Sequence, residues 1–96
     1  MKLFTTLWLL ALTSSVSAAE PVAIVTTTTD IAAIVKAIGG DRVVVESIAK
    51  GFQDPHFVEA KPSFVRLVNR ARMLFNVGLE LEVGWLPLLI QGARNP

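Results

Sequence analysis

The sequence predicts an α/β fold on a parallel sheet, with elements in the order β-α-β-α-β-α. Three observations carry this reading. Short apolar, β-branched runs recur along the chain, and between them apolar residues fall at i, i+3, i+4 and i+7. Glycine and proline mark the boundaries. Strands that alternate with helices imply right-handed crossovers. The expected strand order is second-first-third, with the first strand in the middle.

The first strand is the continuous run Val22–Val25, which leads into Thr26–Thr29. Such a run suits a strand covered on both faces. Thr29 or Asp30 is then the expected cap of the first helix, because its side-chain oxygen accepts from an orphan N–H of the first turn. Ile31, Ile34, Val35 and Ile38 form one apolar stripe. Gly39 and Gly40 end the helix, since glycine enters the left-handed region freely. Arg42–Ile48, with three consecutive valines, reads as the second strand. A loop from Lys50 to Lys61 follows. Pro62 suits the first position of a second helix, where its missing N–H costs nothing. There Phe64, Leu67, Val68 and Ala71 share one face, with Arg66, Asn69 and Arg70 opposite. Arg72–Val77 reads as the third strand, closed by Gly78. Trp85, Leu88, Leu89 and Gln91 lie on a last helix that holds Pro87 in its first turn. Gly92–Pro96 is read as its breaker.

Residues 1–19 are set apart. Lys2 gives a positive start, Leu3–Leu12 is mostly apolar, and Ser14–Ala19 is built of small residues with Val16 among them. The apolar stretch is about half the roughly twenty residues that a bilayer span needs. This is the pattern of a signal peptide cleaved after Ala19 or Ala18. The expected division is therefore a signal peptide at 1–19 and one domain at 20–96. Of the 96 residues 52% are hydrophobic and 18% charged, which excludes intrinsic disorder. Nine Lys+Arg against eight Asp+Glu leave no basic field for a nucleic-acid backbone. With zero cysteines there is no disulfide, no thiolate metal site and no expected lipid anchor. Such an exported domain depends on its core or a ligand for stability.

In parallel sheets ligands gather at the carboxyl ends of the strands. Here those ends are Thr27–Asp30, the Phe52–Lys61 loop and Gly78–Trp85. The only histidine, His56, lies in the second of these. Imidazole is a common zinc ligand, and Pro55 restricts the backbone that presents it. A single loop histidine is, taken alone, more often an ordinary surface residue. Asp54 and Glu59 stand close enough in sequence to offer oxygens. No glycine-rich phosphate loop is present. A Ser63–His56–Asp54 triad fails because all three lie in one short stretch with no oxyanion donors. Trp85, Phe57 and Phe64 read as core or loop anchors.

These segments together resemble a known family. Val25–Val43 with its Ile-Gly-Gly-Asp-Arg-Val turn, then Asp54-Pro55-His56, Lys61-Pro62-Ser63, and Asn76–Glu82 with Trp85-Leu86 occur in that order. The set is similar to the N-terminal lobe of the periplasmic zinc/manganese-type solute-binding proteins of ABC importers. The resemblance implies a two-lobed protein with a long helix between the lobes and a metal site in the cleft. His56 falls at the family's first metal ligand. The others, a second histidine, a histidine or glutamate and a carboxylate, are implied beyond residue 96, so the chain is expected to be a partial lobe. The family's acidic or His-rich loop is absent. Where members often carry Thr-Pro-Ser-Asp, this chain has Lys61-Pro62-Ser63-Phe64, which removes a side-chain cap and a favourable charge worth on the order of 1 kcal/mol together.

The resemblance implies a binding protein and not an enzyme, with no catalytic cofactor. Its cargo would be Zn²⁺ or Mn²⁺, its partner an inner-membrane ABC permease, and its location the periplasm without a lipid anchor. An uncovered flank of the sheet predicts marginal stability or self-association. The alternative is a complete small exported α/β interaction module that binds no metal.

Overall fold

The computed structural model describes residues 20–96, so the leader read in residues 1–19 lies outside the described residues. Seven elements follow: β1 (Val22–Thr26), α1 (Thr29–Gly39), a 3₁₀ turn (Gly40–Arg42), β2 (Val43–Ser47), α2 (Pro62–Arg70), β3 (Met73–Phe75) and α3 (Leu86–Ala93). The sheet is parallel with strand order β2-β1-β3, as the alternation predicts. Val25 pairs with Glu46 on one side and Leu74 on the other.

Successive strand residues face opposite sides of a sheet, and β1 shows both. Val25 joins a core built from Ile48, Ala49, Val58, Val68, Ala71, Trp85, Leu86, Leu89 and Ala93, against which Phe64, Val65, Leu67 and Leu74 pack. This is the face covered by α2 and α3. Ile24 is equally buried but outside that cluster, on the side of α1.

Coverage on that second side is thin. No residue of α1 is buried, and Ile34 and Ile38 are 60% and 83% exposed. The predicted stripe therefore splits, because Ile31 and Val35 tuck halfway against the sheet while Ile34 and Ile38 face outward. An eleven-residue helix over a three-stranded sheet meets too little surface to bury its whole apolar face.

The glycine pair works by two mechanisms. A Cβ on Gly39 would lie 2.5 Å from Cγ2 of Val43, so the helix can pass β2 only without a side chain there. Gly40 takes φ +53°, and its N–H donates to the Lys36 carbonyl. The resulting 3₁₀ turn consumes Arg42, so β2 begins one residue later than predicted.

Three further expectations are corrected. The N-cap of α1 is Thr28, not Thr29 or Asp30, and it makes no side-chain capping bond. The Thr26 hydroxyl instead donates to the Thr28 carbonyl at 2.9 Å. The third strand is shorter than Arg72–Val77, because past Phe75 the backbone N–H groups of Val77 and Gly78 leave the ladder for a carboxylate. Finally, α3 runs through Gly92 and Ala93 and stops at Arg94 in the left-handed region. Its inward face is Leu86, Leu89 and Ala93, while Leu88 is exposed.

Residues after the expected break also tie the helices together. Asn95 Nδ2 donates to the carbonyls of Val68, Asn69 and Ala71 at 2.9, 3.0 and 2.7 Å, and Asn69 Nδ2 returns a bond of 2.7 Å to Ala93. The end of α2, with carbonyls unsatisfied by its own turn, is capped by a side chain 24 residues or more away. At its start Pro62 occupies the first turn as predicted. Lys61 supplies no side-chain cap, and its ammonium lies 5.8 Å from the Phe64 ring centroid.

Candidate metal centre

The ladder carries the chain to the carboxyl edge of the sheet beyond β2 itself. The N–H groups of Ile48 and Ala49 donate to Thr26 and Thr27 at 2.9 and 3.0 Å. The loop then turns at Gly51, with φ +60°, and reaches Asp54-Pro55-His56.

Asp54 Oδ1 accepts twice from the same residue, from the His56 backbone N–H at 2.9 Å and from His56 Nδ1 at 2.7 Å. An aspartate that bonds the backbone two residues on is a local turn device. The backbone N–H first, and then the imidazole, hold the Asp54 carboxyl below its ordinary value. An ionised carboxylate has no proton to give, so Nδ1 is the donor, and in the neutral ring the lone pair is then on Nε2. A carboxylate that fixes the tautomer in this way is the usual outer partner of a metal-ligating histidine. The His56 side chain remains 58% exposed.

The loop is held from behind by the segment after β3. Trp85, 3% exposed, donates its indole N–H to the Pro55 carbonyl at 2.8 Å. Three residues earlier Glu82 is equally buried, and among the described residues no cationic group contributes to its shift. Its Oε1 accepts from Val77 N–H at 2.7 Å and the Thr27 hydroxyl at 3.0 Å. Its Oε2 accepts from Gly78 N–H at 3.0 Å and Asn76 Nδ2 at 3.4 Å. Burial pushes the Glu82 carboxyl up, but the Gly78 and Val77 amides, the Thr27 hydroxyl and the Asn76 amide together outweigh it. They hold the group below its ordinary value. Glu82 thus joins the ends of β1 and β3 as an anion solvated by protein donors. Between these points Gly78, Leu79 and Glu80 all adopt positive φ, at 80°, 54° and 67°.

The sequence-predicted residues divide accordingly. His56 and Asp54 are together, with Asp54 orienting the ring in place of serving as a separate oxygen donor. Glu59 does not join them: among the described residues no three of His, Asp or Glu come together to hold an ion. Ser63 is exposed on the first turn of α2. Trp85 is an anchor as expected and Phe64 is half-buried, but Phe57 is exposed, its ring centroid 6.2 Å from that of His56. The role of Glu82 was not read from the sequence. The available signal was an acid set among Leu79, Leu81 and Val83, just before a helix that opens on tryptophan and proline.

The small parallel sheet with helices on its faces is consistent with a partial lobe of a periplasmic binding protein. The family described as ZnuA, zinc-uptake complex component A, periplasmic, matches residues 24–96, and the chain belongs to it. The chain is 37% identical over 86 residues to the manganese ABC transporter substrate-binding lipoprotein PsaA of Streptococcus pneumoniae. That match covers 86% of this chain and 28% of the relative. It is 37% identical over 92 residues to the metal ABC transporter substrate-binding lipoprotein SloC of Streptococcus mutans, covering 93% and 30%. With the manganese ABC transporter substrate-binding lipoprotein scaA of Streptococcus gordonii it shares 34% over 85 residues, covering 85% and 27%. The chain thus spans under a third of the length of the curated relatives it matches.

Proposed function

We propose that this chain is the N-terminal, cargo-facing portion of the substrate-binding component of an ABC importer for a divalent metal ion. His56 is its metal ligand, through Nε2. The observation that carries this reading is the Asp54–His56 pair in a chain of this family: the carboxylate occupies Nδ1 and leaves the other nitrogen free to coordinate. Imidazole suits Zn²⁺ better than Mn²⁺, which favours oxygen donors, so zinc is the first cargo proposed and manganese the second. One imidazole does not make a four-coordinate site. The remaining donors are therefore assigned to polypeptide beyond these residues, in agreement with the share of each relative that the chain covers.

In this reading the protein makes and breaks no covalent bond. It captures the ion outside the cytoplasm, in the periplasm, after cleavage of residues 1–19, and passes it to a membrane permease. The relatives are named lipoproteins, whereas these 96 residues contain no cysteine.

Two measurements test the reading. Zinc added to the isotope-labelled chain should perturb Nε2 of His56 before any other group, and His56→Ala should abolish that response. The DNA beyond the codon for Pro96 should continue into a second histidine and downstream carboxylates. A continuation without them in every frame refutes the metal reading.

The exposed Ile34 and Ile38 favour a second reading, association through α1 without metal. Concentration-dependent sedimentation that Ile38→Lys abolishes, and that zinc and chelator leave unchanged, would support it.

A further inference from the structure

We propose that Trp85 is a positioning residue for His56, acting through the Pro55 carbonyl, and that Glu82 fixes Trp85 to the sheet. The inference deepens the metal reading and rests on it for its purpose.

Asp54 sets the orientation of the imidazole relative to its own backbone, but that contact spans two residues and would travel with the loop wherever the loop went. Something else must fix the backbone itself. Proline has no N–H, so the Pro55 residue offers only its carbonyl as a main-chain hydrogen-bonding handle. That carbonyl belongs to the peptide group entering His56, and it receives the Trp85 indole N–H at 2.8 Å. The indole has one donor and is buried, so the bond is expensive to leave unmade. On the far side of His56 the chain approaches the same segment: a Cβ built on Gly84 would lie 3.7 Å from the His56 carbonyl oxygen. The peptide before the histidine is therefore bonded to residue 85, and the one after it runs close beside residue 84.

That segment is itself anchored. The Glu82 carboxylate is bonded to Thr27, Asn76, Val77 and Gly78 at the ends of β1 and β3. Its main-chain carbonyl accepts from Trp85 and Leu86 N–H at 3.2 and 2.9 Å, which starts α3. A continuous path runs from Thr27 through Glu82 and Trp85 to Pro55, and each link is a hydrogen bond or the covalent chain. Positioning of this kind matters for a ligand that must meet donors from elsewhere at fixed distance, where looseness of an ångström degrades a site.

The test replaces the Trp85 indole in the whole chain by its benzothiophene isostere, which keeps the two rings and removes the N–H. Backbone order parameters of residues 53–58 are compared with those of the unmodified chain and of Leu89→Val, a fully buried site on α3 in the same core as Trp85 and Val58, which loses packing but no hydrogen bond. The expected result is a selective loosening: the His56 N–H order parameter falls from about 0.85 to below about 0.6. Residues 43–47 keep theirs, and Leu89→Val lowers the thermal midpoint without loosening the loop. A loop that stays rigid with the isostere, or loosens equally in Leu89→Val, overturns the proposal. If the isostere chain does not fold, exchange of the Trp85 indole proton in the unmodified chain decides. Protection comparable to the β1 amides supports the bond, and exchange at the rate of free indole overturns it. Zinc added to the unmodified chain separates the two readings. Zinc that never perturbs the His56 ring, alongside a loosened isostere loop, removes the metal reading and leaves the positioning role. Zinc on the ring with a rigid isostere loop does the reverse.

Discussion

Replacing Glu82 by glutamine keeps the shape of the side chain and removes its charge. In the native chain both oxygens only accept, Oε1 from Val77 N–H and Thr27, Oε2 from Gly78 N–H and Asn76 Nδ2. An amide offers one oxygen and one NH₂. Whichever way Glu82→Gln settles, the NH₂ faces a backbone N–H, of Val77 or of Gly78, that cannot turn round to accept, so that bond is lost and a donor is stranded, while the Thr27 hydroxyl or the Asn76 amide must reverse to accept from the new NH₂. Hydrogen bonds to a charged group contribute about 1.5–3 kcal/mol each, and stranded buried donors cost more. Because the buried anion itself carries a desolvation cost that the variant avoids, the net loss expected is about 3 kcal/mol. At roughly 0.05–0.15 kcal/mol per residue, a domain of this size has about 4–12 kcal/mol in all, so the variant should lose a large part of its stability. Urea unfolding followed by far-ultraviolet circular dichroism at neutral pH measures this. The pH dependence checks the cause. The native pKa lies below its unfolded value, so the unfolded state binds the proton first as pH falls. The stabilisation is complete above the unfolded carboxylate pKa of about 4.3 and is lost as pH drops through the lower native value. The gap between Glu82 and Glu82→Gln should therefore narrow in acid. A loss under about 0.5 kcal/mol, or a gap that does not change with pH, would refute the account of Glu82 as a protein-solvated anion.

Gly39→Ala places a methyl 2.5 Å from Val43 Cγ2 and should cost about 1–3 kcal/mol by overpacking; adding Val43→Ala should recover part of this in a double-mutant cycle of thermal melts. Asn95→Ala strands the carbonyls at the end of α2 and should cost about 1–2 kcal/mol, with hydrogen exchange fastest at the α2–α3 contact. Asp54→Asn removes the ionised acceptor from Nδ1, and nitrogen chemical shifts of the His56 ring should show the Nε2–H tautomer gaining population; an unchanged ratio contradicts the role given to Asp54.

Much of the frame was legible because its signals are local. The Val22–Val25 run gave the central strand, Pro62 marked the start of α2, and the glycine pair marked the end of α1. His56 could be nominated from composition, since it is the only imidazole in the chain. What the sequence did not show depends on distance along the chain. Periodicity says that Ile31, Ile34, Val35 and Ile38 share a side of α1, but not whether anything lies against them. Thr27 and Glu82 meet across 55 positions, and Asn95 reaches carbonyls at 68, 69 and 71. Neither pairing leaves a local pattern. Gly92 looked like a breaker because intrinsic propensity disfavours it in a helix by roughly 1 kcal/mol; Ala93 is buried and its carbonyl is bonded by Asn69, and tertiary contacts of this kind can outweigh that preference.

The His56 loop is braced by a carboxylate on its own turn and by an indole whose helix is rooted in a second carboxylate. None of these braces draws on Nε2 of the ring. An imidazole held this way keeps its aim whether or not anything occupies its other nitrogen, so on the proposed metal reading release of an ion would leave the loop already set for the next one.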